Sequence, residues 1–445
     1  MMKKEPLDRP TRRDFLLKAG VALAAGPWIV PSSALGLDGH VAPSERIVIG
    51  SIGVGGQGSG LTRHAMSHAD VQVVAVCDVD TPASQSMKSS IDERYGNQDC
   101  KIYSDFRELL ARSDIDAVIV GTPDHWHAIP VIQAAKAGKD IYCEKPLSHD
   151  LREGRAMCDA VQRYGVIFQT GSMQRSSGNM KKACEIVRNG YLGRIHHVNV
   201  ILPDGGHEAY VKGFPPVPDS LDYEFWVGPA PWAPYHPQRM KFTWRWWMDF
   251  GGGQLMDWIG HHGDIAHMGL GLDEKGPMEI HPVLWDLPAR SNIYNAPSDY
   301  RFECVYETGM TMTVANKRKI GESYEDHGDT GTQWFGEDGQ WVFVSRSKLL
   351  AQPADLLNVL FAGNDFRFRT QHDHMRDFLD CVKSRREPIA PVEAAHRSAS
   401  IGHLGKIACI LGRTLKWDVE KEEVIGDEMA NRMLGKPYRG DWRLA

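Results

Sequence analysis

The sequence lacks a closely spaced cysteine pair, a long basic run and any internal repeat. Its eight cysteines form no C-x-x-C motif, so neither a thioredoxin-like redox site nor a zinc ribbon is indicated. Several cysteines lie within apolar runs, as Cys77 does in VVAVC, which is typical of buried thiols rather than of a disulfide framework. The formal net charge is −6, and the chain has no basic segment of the kind that binds nucleic acid.

The sequence also has little that could span a membrane. The apolar run over residues 19–30 is interrupted by Pro27 and is shorter than the ~20 residues that a spanning helix needs. Paired arginines at 12–13 precede this run and small residues at 32–34 follow it, which is the pattern of a signal peptide and resembles a twin-arginine signal. We therefore expect a twin-arginine signal peptide over residues 1–36. The export machinery would be a partner, and the processed protein would be periplasmic or otherwise exported, without a stable membrane span.

Short apolar strands alternate with helices over residues 45–168. The strands are predicted at 46–52, 71–77, 117–121, 141–143 and 166–168. Because these strands are continuously apolar, they indicate a parallel sheet that helices cover on both faces. We therefore predict an α/β chain whose first domain is a doubly wound parallel sheet.

Residues 169–415 show a different pattern. Residues 203–253 are rich in Pro, Gly and Trp and have little periodicity. Longer alternating strands then follow in runs, and helices return at 373–384 and 393–411. This order predicts a second, α+β domain with an open, mostly antiparallel sheet, and a C-terminal extension over 416–445. We also expect a homo-oligomer that forms through the second sheet.

A glycine-rich motif follows the first predicted strand and opens the first helix. Gly53, Gly55 and Gly58 meet the G-x-G-x-x-G spacing, and Gly56 lies inside it. The first glycine permits a tight turn, the second lets a pyrophosphate approach the backbone, and the third allows close packing of helix and strand. Asp78, at the end of the second strand, can accept hydrogen bonds from ribose hydroxyls and would repel a 2′-phosphate. This context predicts a Rossmann domain that binds NAD in preference to NADP.

Polar residues follow the fourth and fifth predicted strands. The first segment, G-T-P-D-H-W-H, contains Thr122, Pro123 and His127, and the second, C-E-K-P, contains Glu144 and Lys145. Open α/β sheets bind their ligands at the carboxyl ends of their strands. Both segments are therefore expected at the binding site.

A helix predicted over 254–270 carries Asp257 and His261, which are four residues apart and so share a face. Together with the glycine loop, the motifs G-T-P-x-x-x-H, E-K-P and G-G-G-x-L-x-D-x-x-x-H-x-x-D resemble the Gfo/Idh/MocA (glucose-fructose oxidoreductase / inositol dehydrogenase) family over roughly residues 45–415. The segments WRWWMDFGGGQ and HRSASIGHLGKIA are similar to its exported, signal-bearing branch.

The resemblance implies a role for each matching residue. Lys145 would be the catalytic lysine, and Asp257 and His261 would be the family's D-x-x-x-H pair, with His261 accepting the proton. The positions on the cofactor side would be Thr122, Pro123, His127 and Glu144. One departure is Ile259, where the family commonly has glycine; Gly260 follows instead. These residue types fit alcohol oxidation, because the cofactor takes the hydride, a histidine can accept a proton, and a cationic lysine can stabilise a developing alkoxide.

Each of these residues has a structural alternative. Lys145 could be a surface lysine, and Asp257 and His261 could be a hydrogen-bonded pair on a helix face. The dense polar stretch after Asp257 could also bind a metal ion; its candidate ligands are His261, His262, Asp264 and His267. We expect no metal ion, since the chemistry of the family needs none.

Five tryptophans crowd the segment before the predicted catalytic helix. They are Trp226, Trp232, Trp244, Trp246 and Trp247. Aromatic faces pack against the apolar faces of sugar rings, so Trp246 and Trp247 are candidate substrate contacts together with Lys145 and His261. The alternative is that the rings cover the sheet or a subunit interface.

Three hypotheses for function remain. The first is an NAD-dependent oxidoreductase that acts on a hydroxyl of a sugar, glycoside or cyclic polyol and holds its cofactor tightly. The second is a redox-neutral glycosidase or lyase in which NAD oxidises a sugar carbon transiently. The third is a non-catalytic sugar- or nucleotide-binding protein. An exported enzyme meets no pool of free NAD, which favours a retained cofactor.

Overall fold

The computed structural model describes residues 41–321 and 327–444, so the predicted signal peptide lies outside the described residues. The first sheet has six strands in the order β3-β2-β1-β4-β5-β6, and all of its neighbouring strands are parallel. The strands are β1 Ile47–Ile52, β2 Val71–Cys77, β3 Lys101–Tyr103, β4 Ala117–Val120, β5 Asp140–Cys143 and β6 Phe168–Thr170. This order is that of the Rossmann fold, which confirms the predicted class of the first domain. The boundary predicted at residue 168 lies within β6.

Helices connect the parallel strands. They are α1 Gly56–Met66, α2 Thr81–Tyr95, α3 Phe106–Leu110, α4 Ala128–Lys136 and α5 Leu151–Tyr164. Asp105 and Asp150 begin α3 and α5, and their carboxylates accept hydrogen bonds from the free N–H groups of the first helical turn. The fully buried β4 and β5 confirm a sheet covered on both faces.

The second sheet has nine strands in the order β13-β12-β11-β7-β10-β9-β8-β14-β15. The strands are β7 His197–Leu202, β8 Glu279–Asp286, β9 Asp299–Val305, β10 Thr311–Asn316, β11 Gly331–Phe335, β12 Trp341–Val344, β13 Leu349–Gln352, β14 Leu415–Asp418 and β15 Glu423–Val424. β7 and β10 are parallel, and the other pairs recorded in this sheet are antiparallel. The sheet is therefore mixed but mostly antiparallel, as expected.

Further α-helices follow β6. They are α6 Gly178–Arg188, α7 Tyr223–Val227, α8 Gly253–Trp258, α9 Asp264–Leu270, α10 His374–Ser384, α11 Val392–Leu411 and α12 Glu428–Arg432. α11 contacts both α5 and β8, whereas α10 belongs to the core of the first sheet, where Phe378 meets Tyr142 at 5.8 Å between ring centroids. Both helices match the helices predicted at 373–384 and 393–411.

The segment after residue 415 forms part of the fold rather than a separate extension. β14 pairs with β8, and the chain beyond α12 returns to the first domain. There the Tyr438 hydroxyl donates to Glu153 Oε1 at 2.7 Å, and the Trp442 ring meets the Trp126 ring edge-on at 4.8 Å.

The helix predicted over 254–270 is interrupted. Between α8 and α9, residues Ile259–Gly263 form a π-helix. One extra residue per turn rotates the chain after Asp257, which places His261 differently from an uninterrupted helix. The departure at Ile259 and Gly260 falls on this turn. Within the described residues, no helix is long and apolar enough to cross a bilayer.

Candidate functional site

The turn between β1 and α1 requires glycine at two positions. Gly53 has φ of 77°, and a Cβ there would lie 2.7 Å from the backbone N of Thr122. A Cβ on Gly58 would lie 1.9 Å from the Gly53 carbonyl oxygen. The first glycine therefore provides the conformation and the third the close packing that the sequence predicted.

The other two glycines face open space. A Cβ on Gly55 or Gly56 would meet no atom within 4 Å, and both residues line a cavity of about 1030 Å³. No side chain caps the N-terminus of α1, so its free N–H groups and positive dipole end are available to an anion. An open cradle at a helix N-terminus fits the pyrophosphate of a dinucleotide.

Asp78 lies at the end of β2 and lines the same cavity. Its carboxylate accepts hydrogen bonds from the backbone N–H groups of Val54 at 2.8 Å and Asp80 at 2.9 Å. Burial raises the pKa of Asp78 to about 6 in spite of these hydrogen bonds. Arg63 and Lys241, which the sequence did not single out, also line the cavity.

In the loop after β4, some residues line the cavity and another holds the loop in place. Thr122 and Pro123 line the cavity, whereas His127 does not. The buried His127 ring lies between two carbonyl oxygens, with Nδ1 2.8 Å from that of Pro146 and Nε2 3.0 Å from that of Thr122. Burial lowers its pKa to about 4, so the ring is neutral. His127 thus joins the loops after β4 and β5. The resemblance implied a position on the cofactor side, but the ring supports these loops and does not line the cavity.

Glu144 joins the glycine turn to the loop after β5. Its Oε1 accepts from Gln57 Nε2 at 2.9 Å, and its Oε2 accepts from the Lys145 backbone N–H at 3.2 Å. Glu144 lines the cavity, and burial raises its pKa. The contact with Gln57 places Glu144 against the glycine turn.

Lys145 and Asp257 meet although they are 112 residues apart. Lys145 Nζ donates to Asp257 Oδ1 at 2.8 Å and to the Asp257 carbonyl oxygen at 2.9 Å. Arg245 Nε donates to the same Oδ1 at 3.1 Å. Burial alone would raise the pKa of Asp257, but the two cations lower it below its usual value. The carboxylate therefore stays ionised and fixes both cations, and Lys145 is not a free surface lysine.

His261 lies on the π-helix, with 4% of its surface exposed. Its Nδ1 is buried and has no hydrogen-bond partner among the described residues. Burial first, and the Lys145 charge second, hold the pKa of His261 well below its usual value, so the ring is neutral. A Cβ on Gly260 would lie 3.5 Å from Lys145 Cβ, which shows how closely the π-helix passes the lysine. The structure thus brings Lys145, Asp257 and the π-helix together.

Two of the residues considered as alternative metal ligands, Asp264 and His267, have other partners. Asp264 forms a buried ion pair with Arg175 at 2.7 and 2.8 Å, and His267 Nε2 lies 2.7 Å from the Tyr306 hydroxyl. Burial lowers the pKa of His262 to about 3, and neither of its ring nitrogens has a partner among the described residues. These contacts give Asp264 and His267 structural roles.

The tryptophans that line the cavity are not the two that the sequence suggested as substrate contacts. Trp246 is buried against Ile293, Tyr294 and Ala296, and its ring lies 3.6 Å from that of His207. Trp247 lies under the Arg239 guanidinium at 3.9 Å. Neither ring lines the cavity; Trp244 does so instead. The packing of Trp246 and Trp247 agrees with the alternative in which these rings have a structural role. A substrate contact for either ring stays a prediction.

The aperiodic segment covers one side of the cavity. Over residues 218–245 it contributes Leu221, Trp226, Tyr235, Phe242, Trp244 and Arg245 to the lining. It is attached to the end of β2, since Asp80 and Leu221 form an antiparallel bridge and the Thr81 N–H donates to the Ser220 carbonyl at 3.0 Å. We call residues 218–245 the cover. In the sequence, the absence of periodicity and the cluster of tryptophans marked this segment, but neither showed that it covers a cavity.

Two further lining residues escaped the sequence analysis. Arg245 stands between the tryptophans that drew attention to the segment, and Asp124 lies inside the G-T-P-x-x-x-H motif. Burial raises the pKa of Asp124 to about 8, so this carboxyl is protonated at neutral pH. A pattern search could have flagged Asp124, but nothing local distinguishes Arg245.

Comparison with known proteins agrees with this geometry. Residues 47–172 match the family model described as an oxidoreductase family with an NAD-binding Rossmann fold, and residues 205–333 and 359–444 match the C-terminal α/β domain of the same family. A myo-inositol 2-dehydrogenase from Thermotoga maritima is 26% identical over 85% of this chain and 99% of that protein. The uncharacterised oxidoreductase YrbE from Bacillus subtilis is 32% identical over 40% of this chain, and the match spans only 48% of YrbE.

The fold itself recurs in solved structures. An aldose-aldose oxidoreductase from Caulobacter crescentus, solved with glycerol, superposes with a TM-score of 0.60 at 18% identity and covers 83% of this chain and 99% of that one. At this identity the likeness concerns the fold.

Proposed function

Because this chain belongs to the Gfo/Idh/MocA oxidoreductase family, with its NAD-binding Rossmann domain, we propose that it oxidises a hydroxyl of a sugar, glycoside or cyclic polyol with an NAD that it retains. The observation that carries this proposal is the ion pair between Lys145 and Asp257, which lies beside the glycine-lined cavity. This ion pair joins the loop after β5 of the Rossmann sheet to helix α8 of the second domain. The myo-inositol dehydrogenase among the relatives supports a polyhydroxylated substrate.

The side chains can divide the proton chemistry between them. NAD, when bound, accepts the hydride that leaves the hydroxyl-bearing carbon. Lys145, held by Asp257, donates a hydrogen bond to the substrate oxygen and stabilises the negative charge that develops on it. His261 is neutral, so one of its ring nitrogens can accept the hydroxyl proton. Burial of these groups strengthens their electrostatic interactions, because little water remains to screen them.

The cover supports the proposal that the cofactor is retained. Its backbone bonds at Asp80 and Thr81 lie next to Asp78, so it closes over the part of the cavity that Asp78 lines. A dinucleotide there would have to displace residues of the cover before it could leave.

The predicted export signal gives a reason for the protein to retain its NAD, because an exported enzyme meets no pool of free NAD. We propose that residues 1–36 direct the folded protein through the twin-arginine machinery, and that the bound cofactor is regenerated in place. Regeneration by a second sugar would give a ping-pong exchange, and return of the hydride to the same sugar would give the redox-neutral glycosidase or lyase reaction. The retained cofactor favours both over stoichiometric release. Oligomerisation through the second sheet is part of the same proposal.

The test is mass spectrometry of dinucleotide released from gently purified, full-length protein, followed by a carbohydrate screen that tracks products as well as absorbance. We expect substantial NAD(H) occupancy. The variant Lys145→Ala should carry the same NAD(H) and convert no sugar, which separates binding from chemistry. Protein that carries no dinucleotide, and binds added NAD weakly, would contradict retention. Product formation by Lys145→Ala at the normal rate would contradict the proposed chemistry.

A further inference from the structure

Three potential ligand atoms converge on the surface where α1 ends and α10 begins. His64 lies in the last turn of α1 and His68 lies two residues beyond its end, and their ring centroids are 5.5 Å apart. Asp373, the N-cap of α10, directs Oδ2 towards both rings, 3.2 Å from His64 Nε2 and 3.5 Å from His68 Nε2. All three ligand atoms lie within 4.8 Å of one another.

These separations agree with the edges of a small coordination polyhedron. Zinc holds imidazole nitrogens and carboxylate oxygens at ~2.0–2.2 Å, which for a tetrahedron places neighbouring ligand atoms roughly 3.3–3.6 Å apart. The two measured distances to Asp373 Oδ2 are close to this range. His68 Nε2 is buried and has no hydrogen-bond partner among the described residues, so a hydrogen bond does not already satisfy it.

Hydrogen bonds to Oδ1 fix the orientation of the Asp373 carboxylate. Asp373 Oδ1 accepts from the backbone N–H groups of Met375 at 3.0 Å and Arg376 at 3.1 Å, which leaves Oδ2 for the histidines. Such outer contacts orient the ligand and are typical of metal sites.

The neighbouring cations are already paired. Arg376 and Lys383 both contact the Asp70 carboxylate, at 2.7 and 2.5 Å, and Arg376 also contacts Asp380 at 2.9 Å. These two cations are therefore paired with carboxylates, which reduces their repulsion of a bound cation. The His64 side chain is 47% exposed, so solvent can reach the site and complete the coordination with water.

We propose that His64, His68 and Asp373 bind a divalent transition-metal ion, with Zn²⁺ as the best match to two imidazoles and one carboxylate. The ion joins the helix whose N-terminus faces the dinucleotide cavity to the helix that packs under the Rossmann sheet. Its function is to hold α1 in place from the end opposite the cavity. This site is separate from the catalytic helix, for which the sequence predicted no metal.

The test is equilibrium dialysis of the full-length, chelator-treated protein against ZnCl₂, with metal content measured by elemental mass spectrometry. We expect one saturable Zn²⁺ per chain in the unaltered protein. His68→Gln and Asp373→Asn should each bind at least tenfold more weakly, and the asparagine keeps an oxygen that can cap α10. The matched control is His281→Gln, because His281 also faces a carboxylate, that of Glu279, at 3.3 Å, but with no third ligand. It should bind as the unaltered protein does.

A second measurement does not depend on the stability of the variants. Co²⁺ added to the unaltered protein should give the visible absorption of a site with nitrogen and oxygen ligands, and His64→Gln, at the exposed ligand, should abolish it. The proposal is overturned if the unaltered protein binds no Zn²⁺ stoichiometrically. It is equally overturned if His68→Gln and His281→Gln bind alike.

Discussion

The glycine turn between β1 and α1 and the π-helix between α8 and α9 both bring backbone close to the site, but by different physical means. In the turn, the backbone can approach closely because glycine has no side chain. A Cβ on Gly53 or Gly58 would overlap neighbouring backbone. In the π-helix and in the end of α8 just before it, side chains from distant elements donate to backbone carbonyl oxygens. Lys145 donates to that of Asp257, Ser172 to that of Gly260 and Thr332 to that of His262. One feature is local and the other depends on the assembled fold.

Under the proposed function, the first region serves binding and the second serves the chemistry. The turn carries no titratable side chain and offers an anion cradle. The π-helix carries His261 and follows Asp257, whose charges and protons depend on burial and on Lys145. Variants in the two regions should therefore have separable effects.

The largest effect is expected where the two domains meet. Lys145→Ala and His261→Ala should each reduce turnover by about 10²–10⁴-fold while NAD stays bound, because each removes a group that acts on the reacting hydroxyl. The double variant should lose less than the product of the single losses, since both groups serve one proton transfer. Steady-state kinetics with NAD occupancy measured in parallel checks this.

The matched control is His262→Ala, at an equally buried neighbour on the same π-helix. Near-full turnover in His261→Ala would mean that His261 is structural and that Asp257 or His262 takes its place. Since burial, followed by the Lys145 charge, lowers the pKa of His261, its protonation should reduce turnover only well below pH 6.5.

Trp246 should matter for stability rather than for binding. Trp246→Ala removes a ring buried against Tyr294 and His207 and should lower the free energy of unfolding by about 3–5 kcal/mol. Chemical denaturation measures this, and Trp232→Ala, at a ring that is 55% exposed, should change it little. A Trp246→Ala protein of normal stability that no longer binds sugar would restore the predicted substrate contact.

Gly58 offers the cleanest test of the local region. Gly58→Ala forces a Cβ against the Gly53 carbonyl oxygen, so the turn must shift and NAD should bind about 100-fold more weakly, which corresponds to about 2.7 kcal/mol. Gly60→Ala, also on α1, meets no atom within 4 Å and should leave NAD binding unchanged. Calorimetric titration of NAD-free protein gives both values. Equal losses in the two variants would show that the close approach at Gly58 is not responsible.

The smallest effect concerns the protonation of Asp78. Burial raises its pKa to about 6, so as the pH falls through 6 the carboxylate gains a proton and becomes a poorer acceptor for the ribose hydroxyls. NAD affinity should fall about tenfold between pH 7.5 and pH 5, in line with the ~1.5 kcal/mol of a charged hydrogen bond. Asp78→Asn should bind NAD more weakly at pH 7.5 and show no such decrease, whereas Asp80→Asn should keep it. A pH dependence that survives in Asp78→Asn would place the titrating group elsewhere.

Much of the local region could be predicted from the sequence. The glycine turn, the acidic residue after β2 and the polar ends of β4 and β5 follow from short-range spacing and strand order, which a linear pattern records. His127 was identified as part of the same motif, but its ring turns towards the carbonyls of Thr122 and Pro146. Spacing indicates which loop a residue belongs to but not which way its side chain points.

By itself, the sequence determined the fold class and the dinucleotide cradle, because glycine sterics and apolar strands act over a few positions. Lys145, Asp257 and His261 were indicated by the family resemblance, and their catalytic roles stay predictions. Only the tertiary structure decided the rest. It interrupted the predicted helix with a π-turn, placed Arg245 on Asp257, buried Trp246, folded the cover against β2 and built the segment after residue 415 into the second sheet. Each of these depends on contacts between residues far apart in the chain, where burial and hydrogen bonding outweigh local preference.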